Sequence, residues 1–133
     1  MNYILEAIIV GLYDVILYVI FSQIVSNFYA LLLVVGFSKH FLGNFLGLQT
    51  WYCNNGIACL QTLFHKQKYI ATTNYLLIIS IWEAILHLVL GILLSNFLSK
   101  WHLFFAIGFI LHISAELLGI HKKFCNDFCK KIN

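Results

Sequence analysis

The chain contains no arginine and no proline, and both absences restrict what it can be. Its eight basic residues are all lysines, and they form no dense basic run of the kind that binds nucleic acid. The absence of proline allows long, uninterrupted helices. Charged residues make up only 10% of the 133 residues, whereas hydrophobic residues make up 62%. A soluble domain of this size has too little interior to cover so much apolar surface, which predicts contact with lipid.

Two apolar segments in the C-terminal half, residues 75–98 and 101–120, are separated by a very short polar connection. Each is about 20 residues long, which is the length a helix needs to cross a hydrocarbon layer of about 30 Å. Such a short connection makes the two helices antiparallel neighbours. The pattern therefore predicts a transmembrane hairpin.

The N-terminal residues 3–37 form one long apolar stretch that is interrupted only by single polar residues. Small and polar residues, among them Gly11, Asp14 and Ser22, recur along it with helical periodicity. We therefore expect one continuous helix of about 35 residues that packs this face against the hairpin. Asp14 is placed there to bond a hairpin residue such as His87, whereas we expect Glu6 to be terminal and solvated.

Residues 38–74 are the least hydrophobic section and predict amphipathic structure at the membrane interface, and residues 121–133 predict a polar, lysine-rich tail. The alternative is a fourth span within 41–64, which would place several polar residues at mid-membrane. The predicted fold is an all-α integral membrane protein, a single domain with three transmembrane helices. Seven of the eight lysines then share the side of the 38–74 loop and the C-terminus, which the positive-inside tendency assigns to the cytoplasm.

Four ionisable residues of the hairpin are the first candidates for chemistry: Glu83, His87, His112 and Glu116. Each glutamate lies one helical turn from a histidine, and the two pairs are equidistant from the connection, so they should meet across the hairpin. One hypothesis is an interhelical hydrogen-bond cluster that fixes the register. The alternatives are a metal site, since two imidazoles and two carboxylates suit zinc, iron or manganese, and a proton relay.

Small residues predict where the helices approach one another. Gly91 and Gly108 lie at matching depths of the two hairpin helices, and Gly119 lies one turn beyond the cluster. Together with Asp14 of the N-terminal helix, these residues are the predicted helix-packing positions.

The cysteines form two pairs, Cys53 with Cys59 and Cys125 with Cys129, all on the predicted lysine-rich side. Counting alone allows a four-thiolate zinc site, two disulfides that are either local or join the loop to the tail, or free thiols. A cytoplasmic location argues against stable disulfides. Apart from a metal at these cysteines or at the Glu/His cluster, no cofactor is expected.

Residues 112–125 read HISAELLGIHKKFC. In this segment His112, Glu116, Gly119 and Cys125 follow the pattern H-x3-E-x2-G-x5-C. This segment resembles small, uncharacterised polytopic membrane proteins of nucleocytoplasmic large DNA viruses. The opening residues 3–21, with their acidic and glycine positions, are similar to the N-termini of those proteins. The resemblance implies a protein of the virion inner membrane or a capsid-associated protein, and it implies no catalytic residues.

The leading functional hypothesis is a small structural membrane protein of a large DNA virus. Such a minor capsid protein would link the internal membrane of the virion to capsid proteins or support assembly, with the 38–74 section and the tail as its docking surface. Its partners would be the lipid bilayer and other membrane or capsid proteins, with no nucleic acid. The alternative is a membrane enzyme or carrier that uses the Glu/His cluster for a metal or for protons.

Overall fold

The computed structural model describes residues 2–60 and 67–131 of the chain. Its helices are α1 (Tyr3–Phe21), α2 (Phe28–Phe45), α3 (Leu48–Asn55), α4 (Ile57–Leu60), α5 (Thr73–Leu94), α6 (Lys100–Leu117) and α7 (Ile120–Phe128). Two three-residue strands, β1 (Gln67–Tyr69) and β2 (Cys129–Lys131), form an antiparallel pair. The all-α class is confirmed, with this small strand pair as an addition.

The four long helices, α1, α2, α5 and α6, form a bundle made of two helical hairpins. The first hairpin turns through residues 22–27 and the second through residues 95–99. Helix α6 packs mainly along α1, and α5 packs mainly along α2, whereas α5 and α6 touch each other much less. The apolar core lies where these helices meet, and its largest members are Leu32, Val35, Leu103, Phe104 and Ile107.

The prediction of one continuous helix over 3–37 is wrong, because the chain turns back after Phe21. Asn27 caps the next helix, since its side chain accepts a hydrogen bond of 3.0 Å from the N–H of Ala30. The cluster of polar residues in 22–27 forms this turn. Helix α1 has 19 residues and α2 has 18, so each is long enough to cross a hydrocarbon layer. Helix α2 reaches this length because it extends past residue 37 into the predicted interfacial section.

The second hairpin is present, but its two helices do not pack glycine against glycine. A side chain on Gly91 would collide with Leu32 of α2. A Cβ on Gly108 would lie 2.6 Å from a carboxylate oxygen of Asp14 and 3.1 Å from the Cα of Gly11. Both glycines therefore allow close approach to the first hairpin rather than to each other.

Gly119 also has a role other than the predicted one. Its φ of 75° lies in the left-handed region that glycine adopts without steric strain. It separates α6 from α7, and these two helices are bent by 74° relative to each other. Gly119 therefore directs the chain out of the bundle instead of packing helices together.

We call the assembly of α3, α4, α7, β1 and β2 the cap, and it covers one end of the bundle. Disulfides between Cys53 and Cys129 and between Cys59 and Cys125 join the loop section of the cap to the C-terminal section. Of the predicted alternatives for the cysteines, the structure thus contains the loop-to-tail disulfides. Within its described part, segment 41–64 holds the end of α2 and two short helices rather than a fourth span. Residues 61–66 of the predicted interfacial section lie outside the described residues.

Three helices, α1, α2 and α5, are each long and apolar enough to cross a membrane. The number rises to four if the bent pair of α6 and α7 is one span. Only 28% of the most apolar window of α1, and 33% of those of α2 and α5, is buried inside the protein. Large apolar side chains therefore cover the outside of the bundle, including Leu12, Ile16, Ile78, Trp82 and Val89.

Candidate functional site: two polar clusters beside a cavity

The first group of buried polar side chains, the inner cluster, consists of Asp14, Lys39, His40, Glu83 and His87. It joins α1, α2 and α5 inside the bundle. The ammonium group of Lys39 donates a hydrogen bond of 2.7 Å to Glu83, and His40 lies 3.6 Å from the other oxygen of the same carboxylate. The imidazole Nε2 of His87 lies 2.9 Å from Asp14 Oδ2, so the predicted contact between these two residues is confirmed.

Both ring nitrogens of His87 have a hydrogen-bond partner. Its Nδ1 lies 2.9 Å from the carbonyl oxygen of Glu83, and its Nε2 faces the Asp14 carboxylate. Both contacts are buried, and they hold the imidazole in one orientation between α1 and α5. Lys39 supplies the inner cluster with a permanent cation beside Glu83.

The second group, the cap cluster, consists of Glu6, Tyr52, His112, Glu116 and His121, and it lies where α1 and α6 meet the cap. Glu6 Oε1 lies 2.9 Å from His112 Nε2, and Glu6 Oε2 accepts a hydrogen bond of 2.7 Å from the N–H of Ile57. Glu116 Oε1 lies 2.8 Å from His121 Nδ1 and accepts a hydrogen bond of 3.2 Å from the Tyr52 hydroxyl. The cluster therefore ties the N-terminal helix to both sections of the cap.

The charges of the cap cluster are not balanced by a permanent cation. Among the side chains that the structure describes, no lysine is hydrogen-bonded to Glu6 or Glu116. Burial lowers the pKa of His121, and the neighbouring His112 lowers it further, which favours the neutral imidazole. Burial and the two nearby carboxylates also raise the pKa of Tyr52 well above its usual value, so its hydroxyl remains a hydrogen-bond donor.

A cavity of about 930 Å³ lies beside both clusters. Lys39, His40 and Glu83 of the inner cluster line one part of it, and Tyr52, His112 and His121 of the cap cluster line another. Aromatic side chains, among them Trp51, Tyr69, Trp82 and Phe124, supply much of the remaining wall. A largely apolar cavity with a few convergent polar groups is the usual form of a small-molecule site.

The four hairpin residues singled out from the sequence do not face one another. Glu83 and His87 belong to the inner cluster, and His112 and Glu116 belong to the cap cluster. The mirror arrangement is wrong because α5 and α6 each pack on a helix of the first hairpin. Each of these four residues belongs to a polar cluster. Its partners, however, are not the ones predicted from equal distances to the hairpin connection.

The prediction that Glu6 is terminal and solvated is wrong. Glu6 is only 3% exposed, because it is packed against His112 and the N–H of Ile57. Periodicity gave a usable signal for Glu6, since it lies on the same helical face of α1 as Asp14. Tyr52 and Lys39 carried no such signal, because they come from the section predicted to lie on the membrane surface.

The four cysteines all lie in the cap, and all of them are buried. Cys59 Sγ and Cys129 Sγ, which belong to different disulfides, are 3.9 Å apart. As disulfides they offer no thiolate, so metal binding at the cysteines stays a prediction for the reduced chain.

Comparison with known protein families, curated proteins and solved structures finds no match. The resemblance to viral membrane proteins therefore stays a prediction. The function of the chain has to be inferred from the apolar surface of its bundle and from the geometry of its two clusters.

Proposed function

We propose that the chain is an integral membrane protein in which α1, α2, α5 and α6 cross the bilayer and the cap lies on one side of it. The apolar surface of the long helices carries this proposal, since about two thirds of the most apolar windows of α1, α2 and α5 are unburied. Soluble proteins seldom expose apolar surface on this scale. Inside the bundle, Asp14, Glu83 and His87 have protein partners, as intramembrane ionisable groups require.

The chain then differs from the three-span topology in the location of its N-terminus. Glu6 lies against the cap, so the N-terminus and the C-terminal section are at the same end of the bundle. Four spans place both of them on one side of the membrane. The turns at 22–27 and 95–99 lie on the other side.

Two features of the cap favour different compartments. Its exposed lysines, Lys68, Lys122, Lys123 and Lys130, indicate the cytoplasmic side, whereas Lys100 lies at the opposite end. Its two disulfides indicate an oxidising environment. A virion component can satisfy both, because it inserts in the cell and meets an oxidising environment once the particle leaves it.

We therefore propose a structural role in the internal membrane of a large DNA virus, with the cap as the rigid surface that capsid proteins contact. The disulfides and the β1–β2 pair hold the cap in one shape, so little ordering is needed when a partner binds. The exposed lysines on α7 and the strands supply positive charge for an acidic partner.

The test replaces lysines at the two ends of the bundle. We expect Lys122→Gln combined with Lys123→Gln to insert into membranes normally but to be recovered poorly in purified particles. Lys100→Gln, the matched control at the opposite end, should be incorporated like the wild type. Resistance to alkaline extraction reports membrane insertion for each variant. Equal incorporation of all variants would contradict a docking role for the cap.

The cavity favours a second candidate function, a membrane enzyme or carrier for a small molecule. Its volume of about 930 Å³ and its mixture of aromatic walls with His and Tyr side chains suit an amphipathic ligand. Retention of a lipid-like molecule through purification, detected by mass spectrometry and lost on introducing Trp82→Ala, would support it.

A further inference from the structure

The ligand atoms of His112, Glu116 and His121 all lie within 4.8 Å of one another. His112 and Glu116 are one turn apart on the same face of α6. The bend at Gly119 brings His121 of α7 back towards that face. Three potential ligands are thus brought together by one helix, one left-handed glycine and the first turn of the next helix.

The donor set is chemically specific. Two imidazoles and one carboxylate form the protein ligands of many catalytic zinc sites and of non-haem iron sites. These three side chains are also largely shielded, with His112 7% exposed and the side chains of Glu116 and His121 12% and 18% exposed. A site of this kind is more enclosed than the acidic groups found on ordinary protein surfaces.

The groups around these three side chains suit an outer shell. Glu6 bonds His112, and the N–H of Ile57 bonds the other oxygen of Glu6. Tyr52 donates to Glu116. Carboxylates that orient a histidine, and donors that orient a carboxylate, are the usual second layer of a metal site.

Charge supplies an independent argument. Glu6 and Glu116 bring two negative charges, and no lysine of the described residues is hydrogen-bonded to either of them. Buried carboxylates need a compensating cation or a proton. The inner cluster solves the same problem for Glu83 with Lys39. A divalent cation would do so for the cap cluster.

We propose that the cap cluster binds one divalent first-row transition metal ion, with His112, Glu116 and His121 as ligands and Glu6 as the carboxylate that orients His112. The site is separate from the proposed membrane and docking roles. It also differs from the metal site expected from the sequence, because His121 and Glu6 take the places of His87 and Glu83.

The experiment uses the full chain in detergent with its disulfides intact, stripped of metal by a chelator and reloaded with Zn²⁺ or Co²⁺. Equilibrium dialysis should give one ion per chain. His121→Gln should bind at least about tenfold more weakly, because even outer-shell losses weaken metal sites by about 10- to 100-fold. His40→Gln is the matched control, since His40 lines the same cavity without belonging to the cap cluster.

Three results would overturn the proposal. The first is a wild-type protein that takes up much less than one ion per chain. The second is equal affinity in His40→Gln and His121→Gln. The third is metal uptake that occurs only after reduction, which would assign the metal to the cysteines. If His121→Gln does not fold, Tyr52→Phe keeps the ring and should still weaken binding by about tenfold through loss of the bond to Glu116.

Discussion

The inner cluster and the cap cluster use the same residue types but balance their charges differently. In the inner cluster, Lys39 is a permanent cation beside Glu83, and His87 Nε2 lies 2.9 Å from Asp14 Oδ2. In the cap cluster, the described hydrogen-bond partners of Glu6 and Glu116 are histidines, a tyrosine and the N–H of Ile57, with no lysine among them. The comparison indicates that the inner cluster has a built-in permanent cation, whereas the cap cluster is suited to an added one.

The two clusters also differ in how they are held. The inner cluster lies between long helices whose close approach depends on glycines such as Gly36, which packs against the backbone of Glu83 and Ala84. The cap cluster depends on short helices that are fixed by disulfides. We infer that the inner cluster specifies the packing of the bundle and that the cap cluster supports chemistry or binding. Substitutions in each region can test this division.

The largest effect should come from removing the lysine of the inner cluster. Lys39→Met leaves the carboxylate of Glu83 without its cation, which should lower the free energy of unfolding by about 3–5 kcal/mol. The double variant Lys39→Met with Glu83→Leu should recover most of this loss, because it removes both buried charges. Unfolding in detergent, followed by circular dichroism, measures both. A single variant as stable as the wild type would show that this ion pair does not specify the bundle.

The second effect concerns the disulfides and should be confined to the cap. Replacing Cys59 and Cys125 together by serine opens a bridge that spans 66 residues of sequence. Loss of such a bridge costs about 2–4 kcal/mol. Limited proteolysis should then cut the cap while the long helices stay protected. Loss of helical signal throughout the chain would mean that the bundle and the cap are not separable.

A smaller effect should distinguish two glycines of the same helix. A Cβ on Gly36 would lie 2.7 Å from the Cα of Ala84, whereas a Cβ on Gly43 has no neighbour closer than 3.4 Å. Gly36→Ala should therefore cost about 1–3 kcal/mol by forcing α2 away from α5. Gly43→Ala is the control and should be at least as stable as the wild type, because alanine is favoured over glycine within a helix by up to about 1 kcal/mol. Equal stabilities of the two variants would contradict the close packing beside the inner cluster.

The smallest effect should be a pH dependence that belongs to the cap. Burial and, to a smaller extent, the neighbouring Tyr75 together raise the pKa of Tyr69 from 10.0 to about 12. Because the folded pKa is the higher one, Tyr69 contributes stability below pH 10, and that contribution is lost as the pH rises towards 12. Tyr69→Phe should lose less stability over this interval than the wild type. Parallel curves from thermal unfolding at each pH would refute this.

Sequence patterns predicted much of this architecture, including its helical class, the second hairpin and the contact between Asp14 and His87. The pattern of apolar residues shows which face of a helix is buried, but it does not show which neighbouring helix that face meets. His112 therefore could not be paired with Glu6, which is 106 positions away. The turn after Phe21 was missed because Ser22 and Ser26 also fit the helical period.

The cap was the least predictable part of the molecule. Its short helices and strands are held by disulfides between distant cysteines, and the number of cysteines does not fix their pairing. Gly119 carried a readable signal, since a glycine after an apolar run often ends a helix. Recognising that end would have predicted the bend that brings His121 over α6.

The most direct test of the proposed four-span bundle is the location of the N-terminus relative to the C-terminus. Short glycosylation tags can be placed at either terminus, in the turn at 22–27 and in the turn at 95–99. Four crossings predict that the two termini share one side of the membrane and that the two turns share the other. A terminus on each side would mean an odd number of crossings, and it would contradict the bundle of two hairpins from which both clusters are built.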